Sequence, residues 1–189
     1  ASKTGYSFNG WYKEKALTNE YSKATLTSDI TLYAKFTANQ YTIRFLNDDT
    51  TVLQSSQFAY GTTPSYSGAT PTKDATAQYT YEFSGWSPSI GTVTGAQDYV
   101  AQFTPKTRQY TIKFVNYDDT ELQSSDWNYG STPTYNKATP EKPSTTDKIY
   151  VWTGWTPSIS SVKGATTYKA TFSESPRPYK ITWKNYDNS

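Results

Sequence analysis

The chain has 189 residues, a formal net charge of +2, and no histidine, cysteine or methionine. These absences exclude the usual imidazole bases and zinc ligands, disulfides and thiol nucleophiles, and the near-neutral charge gives no electrostatic footprint for nucleic acid. No apolar run approaches the roughly 20 residues that a membrane helix needs, so no membrane insertion is expected in this segment. Mean hydropathy is low, at −0.79, but 17% of the residues are aromatic. Because disordered chains are poor in aromatic residues, the composition predicts a folded, β-rich protein.

The first 38 residues contain two segments that recur further along the chain. Tyr6-Ser7-Phe8-Asn9-Gly10-Trp11 returns at residues 81–86, and Leu32-Tyr33-Ala34-Lys35-Phe36 returns at residues 99–103. Residues 1–38 are therefore interpreted as the C-terminal half of a truncated repeat.

A complete repeat over residues 39–108 is predicted to begin with a β-hairpin. Apolar and polar residues alternate in the first strand, which is typical of a half-buried strand. Its inward positions are Tyr41, Ile43 and Phe45. Residues 47–50 (Asn-Asp-Asp-Thr) predict a turn, and residues 52–60 predict the second strand of the hairpin.

The rest of this repeat is predicted to form a loop and two more strands. Residues 62–78 are predicted to form a loop that is long enough to contain a short helical turn at 72–78. A third strand is predicted at about 79–86, since Pro88 forbids its continuation as a central strand. Alternation around Tyr99 to Phe103 predicts the fourth.

The same pattern returns 69 residues later. Residues 40–45 (Gln-Tyr-Thr-Ile-Arg-Phe) reappear at 109–114 (Gln-Tyr-Thr-Ile-Lys-Phe), and roughly half of all aligned positions are identical. Residues 109–177 are therefore a second complete repeat. Residues 178–189 are interpreted as the first strand of a further truncated repeat, because Tyr179–Trp183 repeats the opening pattern once more.

Short linkers are expected between these modules, at residues 37–39, 104–108 and 173–178. Proline at 105, 176 and 178 is expected to stiffen them. Because an isolated strand at 179–184 and a half repeat at 1–38 lack partners, we expect either a structural module phased differently from the repeat or ends that pair with a neighbouring copy.

These motifs resemble a known family. Gly5-Tyr6-Ser7-Phe8-Asn9-Gly10-Trp11-Tyr12 and Thr27-Ser28-Asp29-Ile30-Thr31-Leu32-Tyr33-Ala34-Lys35-Phe36 resemble the C-terminal half of a Listeria–Bacteroides repeat, also called the internalin B-repeat. The 69-residue copies resemble related repeats in large surface proteins of gut Firmicutes. The resemblance implies tandem β-grasp-like modules, secretion to the bacterial cell surface, and roles in spacing or adhesion. The hairpin turn departs from this pattern, since related repeats often carry Asp-Gly where this chain has Asp49-Thr50.

Most aromatic residues are expected to build cores. A module of about 69 residues buries only around 60% of its unfolded surface, so large rings must supply the core. The glycine before each Gly-Trp tryptophan would allow a bulge that turns the indole inward. The predicted core rings are Trp11, Trp86, Trp155, Tyr41, Phe45, Phe83, Tyr110, Phe114 and Trp152.

A few aromatic residues lie off this inward pattern or differ between the copies. Exposed rings beside Asn, Asp and Thr could stack on sugars, although a tyrosine ring can also pack along a sheet with its hydroxyl in water. The candidate ligand-binding residues are Trp127, Tyr135, Tyr66 and Tyr117.

Other site chemistry has little support in the sequence. Asp48-Asp49 and Asp118-Asp119 lack calcium-loop spacing and are interpreted as turns. A Lys–Asn isopeptide bond from Lys73 or Lys142 lacks a recurring acidic partner. Neither a catalytic site nor a cofactor is predicted.

Three roles remain open on the sequence alone. We expect a non-catalytic stalk or spacer at the bacterial cell surface, whose partners are the neighbouring repeats of the same chain. One alternative is an adhesion module that binds host or dietary glycans or a host protein. The other is self-association into extracellular filaments through exposed strand edges.

Overall fold

The computed structural model describes residues 1–187, which contain ten β-strands and no helix. In this part of the chain no helix is therefore long and apolar enough to cross a bilayer. The strands are β1 (Tyr6–Tyr12), β2 (Tyr33–Ala38), β3 (Gln40–Leu46), β4 (Val52–Ala59), β5 (Tyr79–Ser87), β6 (Gln97–Thr107), β7 (Gln109–Val115), β8 (Glu121–Asn128), β9 (Lys148–Thr156) and β10 (Thr166–Pro176). Two compact units are present: one comprises Ala1–Asp74 and Tyr81–Pro105, the other Ala75–Thr80 and the described chain from Lys106 onward.

Each complete repeat forms one four-stranded sheet with the same topology. The strand order is β4-β3-β6-β5 in the first repeat and β8-β7-β10-β9 in the second. The first strand of each repeat pairs antiparallel with the second and parallel with the fourth. The N-terminal and C-terminal strands of a repeat are thus its two central strands. This confirms the prediction of tandem β-grasp-like modules with four-stranded sheets.

The predicted hairpin turn forms in both repeats and holds a left-handed residue. Asn47 N–H donates to the Thr51 carbonyl at 2.8 Å, and Thr50 N–H donates to the Asn47 carbonyl at 3.0 Å. Thr50 has a φ of 70°, and Asp119 at the equivalent position has a φ of 67°. These are the positions where a glycine would adopt the backbone without strain.

The glycine of each Gly-Trp pair occupies an irregular point in its strand. Gly10, Gly85 and Gly154 have φ values of 118°, 132° and 136°. The pairing register shifts between Phe8 and Trp11 in β1, and β9 has a matching shift opposite Thr171. The expected bulge is confirmed at Gly10 and Gly154.

Two local expectations are wrong. Residues 72–78 form no helical turn. So short a segment does not nucleate a helix. Its backbone instead forms a bond at the start of β5, in which Thr76 N–H donates to the Tyr79 carbonyl at 2.9 Å. The linkers are also shorter than expected. β6 continues through Pro105 to Thr107, so only Arg108 separates it from β7, and only Asn39 separates β2 from β3.

The expected first strand at 179–184 is absent. This segment has no strand in the described chain, and Tyr179, Ile181 and Trp183 are exposed. Among the described residues no strand follows β10, so this segment has no neighbouring strand of its own repeat with which to pair. The expectation that the structural module is phased differently from the sequence repeat is also wrong. The first strands of the two sheets begin at Gln40 and Gln109, which is where the two copies of the sequence repeat begin. Pairing with a neighbouring copy stays a prediction.

Candidate functional site

The core of each repeat is an aromatic cluster on its first strand. Phe45 is fully buried; its ring centroid lies 4.8 Å from that of Trp86, edge to face, and 5.3 Å from that of Tyr99, stacked. In the second repeat the pairs Phe114–Trp155 and Phe114–Tyr168 repeat these distances. Each cluster is built from residues of one repeat. Tyr41, Tyr110, Phe83 and Trp152 lie half-buried around them.

Trp11 does not reach a core, contrary to expectation. It is 39% exposed and contacts Phe8 at a ring distance of 5.6 Å. Residues 1–38 contain no counterpart of Phe45, the ring on which Trp86 packs. The tryptophan therefore lacks the strand that would cover it.

The Tyr66 and Tyr135 rings pack against the cores of their repeats. The expectation that these rings are exposed in loops and available to bind a ligand is therefore wrong. Tyr66 lies between Phe45 and Trp86, at ring distances of 5.4 and 5.0 Å. Tyr135 has the same neighbours in the second repeat, and its hydroxyl donates to the Ala138 carbonyl at 2.7 Å. Burial raises the pKa of Tyr135. Sequence reasoning missed this because the loop folds back over the sheet, which strand periodicity cannot show.

Trp127 and Tyr117 lie in two separate shallow grooves of the second repeat. Trp127 packs one side against the core, and its indole N–H donates to the Ser125 hydroxyl at 2.8 Å. The remainder faces a groove of about 390 Å³ whose lining includes Gln123, Asn136 and Lys137. Tyr117 contacts Phe172 and faces another groove, of about 540 Å³. The four candidate rings are thus not brought together in one site.

The acidic turn residues are used within the turns. The Asp49 carboxylate accepts the Thr51 N–H at 2.9 Å, and the Asp118 carboxylate accepts the Thr120 N–H at 3.1 Å. No cluster of three potential metal-ligating side chains occurs among residues 1–187.

The side chains considered for an isopeptide bond have other partners. Lys73 Nζ pairs with Asp48, while the Asn47 amide donates to the Thr72 carbonyl at 3.0 Å. In the second repeat Lys142 lies over the Tyr150 ring, 4.0 Å from its centroid.

An ion pair joins the two central strands of the first repeat. Arg44 on β3 lies opposite Asp98 on β6 in the parallel register. Its Nε donates to Oδ1 at 2.7 Å, and its Nη2 donates to Oδ2. The hydrogen bonds from Arg44, together with its charge, lower the pKa of Asp98. Sequence reasoning missed the pair because residues 54 apart meet only once the parallel register is known.

The residue between consecutive modules forms backbone hydrogen bonds on both sides. Asn39 N–H donates to the Gly5 carbonyl at 2.9 Å, and its own carbonyl accepts the Tyr60 N–H at 2.8 Å. The Tyr60 ring lies so close to Gly5 that an added Cβ would approach it to 2.2 Å. We call this arrangement a joint: it consists of the single linker residue and the two residues to which its N–H and its carbonyl are hydrogen-bonded.

The joint recurs inside the second unit. Arg108 N–H donates to the Gln78 carbonyl at 2.9 Å, and the Arg108 carbonyl accepts the Tyr129 N–H at 2.9 Å. The Arg108 guanidinium also donates to the Thr76 carbonyl at 2.9 Å. Arg177 repeats the first and third of these bonds, with Asp147 and Thr145.

Comparison with known proteins finds similarity to repeat domains over parts of this chain. Residues 1–35 match the family model of the Listeria-Bacteroides repeat domain. Internalin H of Listeria monocytogenes is 39% identical over 88 residues, covering 45% of this chain and 15% of that protein. Over part of its length the chain is therefore similar to the Listeria-Bacteroides repeat domain and to internalin H.

Two further similarities complete the comparison. A protein of Evansella cellulosilytica named "Putative membrane protein" is 29% identical over 150 residues, which covers 74% of this chain and 22% of that protein. The structure of Streptococcal High Identity Repeats in Tandem (SHIRT) domains 3-4, from a cell surface protein, matches 73% of this chain and 99% of that chain, with a TM-score of 0.33 and 16% identity. The chain spans less than a quarter of the length of the curated relatives it matches.

Proposed function

We propose that these repeats are a non-catalytic, force-bearing stalk or spacer of a bacterial surface protein, located outside the cell. The parallel pairing of the first and last strands of each repeat carries this proposal. Tension enters a repeat at the start of β3 and leaves at the end of β6. Because these strands run parallel, the two ends are pulled in opposite directions along the strand axis. The hydrogen bonds that join them are then sheared together rather than broken one at a time.

The joints support the same role. A linker of one residue, bonded through its N–H and its carbonyl, leaves little free chain to extend before the sheets themselves are loaded. Each core is closed within one repeat, as expected of a repeat protein in which modules are added or removed without disturbing the others.

Pulling the chain from its two ends in a single-molecule experiment tests this function. Each complete repeat should unfold in one high-force step that releases roughly 230 Å of chain, given about 3.4 Å per residue. Unfolding through a series of small low-force steps would contradict a load-bearing role.

Adhesion is a second candidate, favoured by one difference between the repeats. Trp127 faces a groove with amide and ammonium groups, whereas the equivalent residue in the first repeat is Phe58. Indole is a good stacking surface for a sugar. Glycan-array binding that is lost in Trp127→Phe, with unchanged thermal stability, would support adhesion. Phe58→Leu is the matched control, and equal loss in both variants would contradict a site at Trp127.

A further inference from the structure

The segment Ala75–Thr80 belongs to the first repeat by sequence but to the second compact unit by structure. It leads into β5, which begins at Tyr79 and is a strand of the first sheet. The chain before the segment, up to Asp74, and the chain after it, from Tyr81 to Pro105, lie in the first unit. The boundary of the compact unit therefore differs from the boundary of the sequence repeat at this segment.

Three consecutive carbonyls of this segment accept hydrogen bonds from the start of the second repeat. The Arg108 guanidinium donates to the Thr76 carbonyl at 2.9 Å, and the Arg108 N–H donates to the Gln78 carbonyl at 2.9 Å. Between these two bonds, the Tyr110 hydroxyl donates to the Ala77 carbonyl at 2.6 Å. The donors and the acceptors all lie in the second unit. We call the two donor residues, Arg108 and Tyr110, the clamp.

Local contacts prepare both sides of this interaction. The Tyr79 N–H donates to the Thr76 hydroxyl at 3.0 Å, and the Thr76 N–H donates to the Tyr79 carbonyl at 2.9 Å. Because this turn uses the threonine hydroxyl rather than the threonine carbonyl, the carbonyl remains available to Arg108. On the other side, the Arg108 guanidinium lies 5.1 Å from the centroid of the Tyr110 ring, a cation–π contact that helps to hold the guanidinium in place.

The same three bonds recur one repeat later. The Arg177 N–H donates to the Asp147 carbonyl at 2.8 Å, and the Arg177 guanidinium donates to the Thr145 carbonyl at 3.1 Å. The Tyr179 hydroxyl donates to the Thr146 carbonyl between them. Recurrence at equivalent positions shows that the clamp is a property of the repeat rather than an accident of one loop.

The first joint has no guanidinium. Asn39 stands at the linker position where the other two joints have arginine, and its side-chain oxygen accepts the Ser7 hydroxyl at 2.6 Å. Tyr41, at the position equivalent to Tyr110, packs against the core of the first repeat. The chain therefore contains joints with and without the arginine, which provides an internal control.

We propose that the clamp is a docking surface for the segment Ala75–Thr80, and that this segment folds with the second repeat rather than with its own. The partner is the preceding repeat of the same chain, which is recognised through its backbone carbonyls. Unfolding the second repeat releases the segment, whereas unfolding the first repeat leaves it bound. The two cores stay separate, so the coupling is confined to this segment. The inference goes beyond the stalk function, and its failure leaves the shear geometry of the central strands unchanged.

Hydrogen exchange in the full chain, with one repeat destabilised at a time, tests this assignment. Phe114→Ala removes the central core ring of the second repeat, and Phe45→Ala is the matched variant in the first. The amides of Thr76 and Tyr79, followed by NMR, report on the segment. In urea that unfolds only the destabilised repeat, both amides should lose protection in Phe114→Ala and keep it in Phe45→Ala. Any other pattern would overturn the proposal.

Variants of the clamp test its two side chains. Arg108→Asn introduces the residue of the first linker, and Tyr110→Phe removes only the hydroxyl. Together they should speed exchange of the Thr76 and Tyr79 amides about tenfold, because two exposed hydrogen bonds are lost, while the amides of β7 keep their protection. The control Tyr41→Phe, the same change at the equivalent position of the first repeat, should leave both rates unchanged. Unchanged exchange in the double variant, an equal change in the control, or a matching loss in β7 would each overturn the role of the clamp.

Discussion

Arg44 on β3 and Asp98 on β6 form a two-contact ion pair across the parallel central strands of the first repeat. The second repeat has Lys113 and Thr167 at these positions, and Lys113 bonds instead to Glu121 on the neighbouring hairpin strand, at 2.8 Å. The two repeats therefore share a topology but differ in the side chains that join the strands under load. Both side chains of the Arg44–Asp98 pair are substantially exposed, so the pair is expected to contribute little to equilibrium stability.

Stability should fall at acid pH. Hydrogen bonds from Arg44 lower the pKa of Asp98, and those from Lys148 lower the pKa of Glu174. The turn hydrogen bonds lower the pKa values of Asp49 and Asp118 in the same direction.

A carboxyl group with a lowered folded-state pKa contributes stability above its unfolded pKa, about 4, and loses it as the pH falls through the folded value. Thermal midpoints should therefore be flat from about pH 5 to 8 and decline below about pH 4. In Asp98→Asn the decline of the first repeat should be shallower. A transition between pH 6 and 7 would contradict this assignment, since the chain has no histidine.

Replacing Thr50 by glycine should stabilise the first repeat. Thr50 has a φ of 70°, which is unfavourable for a β-branched residue. Relief of this strain should exceed the extra flexibility of glycine in the unfolded chain and give a net gain of about 1 kcal/mol in denaturant unfolding. Thr51→Gly, one residue later and without a positive φ, should instead lower the stability. A loss in Thr50→Gly would show that the threonine side chain stabilises the turn.

Gly154→Ala should destabilise the second repeat through the backbone alone. Gly154 has a φ of 136°, and an added Cβ would meet no atom within 4 Å. The expected cost is about 1–3 kcal/mol from the disfavoured conformation. Gly164→Ala has equal space and no positive φ, so calorimetry should find it close to neutral. If both variants have the same midpoint, the bulge at Gly154 does not need glycine.

Tyr135→Ala should unfold the second repeat more easily, although Tyr135 lies in a loop. Its ring packs on Phe114 and Trp155, and truncation of a large core ring costs about 3 kcal/mol or more. Tyr135→Phe keeps the ring and loses the hydrogen bond to Ala138, which costs about 1 kcal/mol. Urea unfolding that ranks the two variants equally would contradict a core role for the ring.

The positions of the strands along the chain could be predicted from the sequence, because the alternation of apolar and polar residues and the 69-residue repeat are local, periodic signals. Pairings between distant residues could not. The Arg44–Asp98 pair depends on the parallel register, and the burial of Tyr66 and Tyr135 depends on a loop that returns over the sheet. Trp11 carries the same local motif as Trp86, but its environment is decided by a strand that residues 1–38 do not contain.

The dependence of unfolding force on pulling direction tests the load-bearing role most directly. The second repeat would be pulled along β7 and β10 through its own ends, and then across the β7–β8 hairpin through handles at Gln109 and Asn128, which face each other in the ladder. Shear geometry predicts a several-fold higher force in the first direction, with a single step in each trace. Equal forces in the two directions would contradict the account, because the parallel central strands would then give no mechanical advantage.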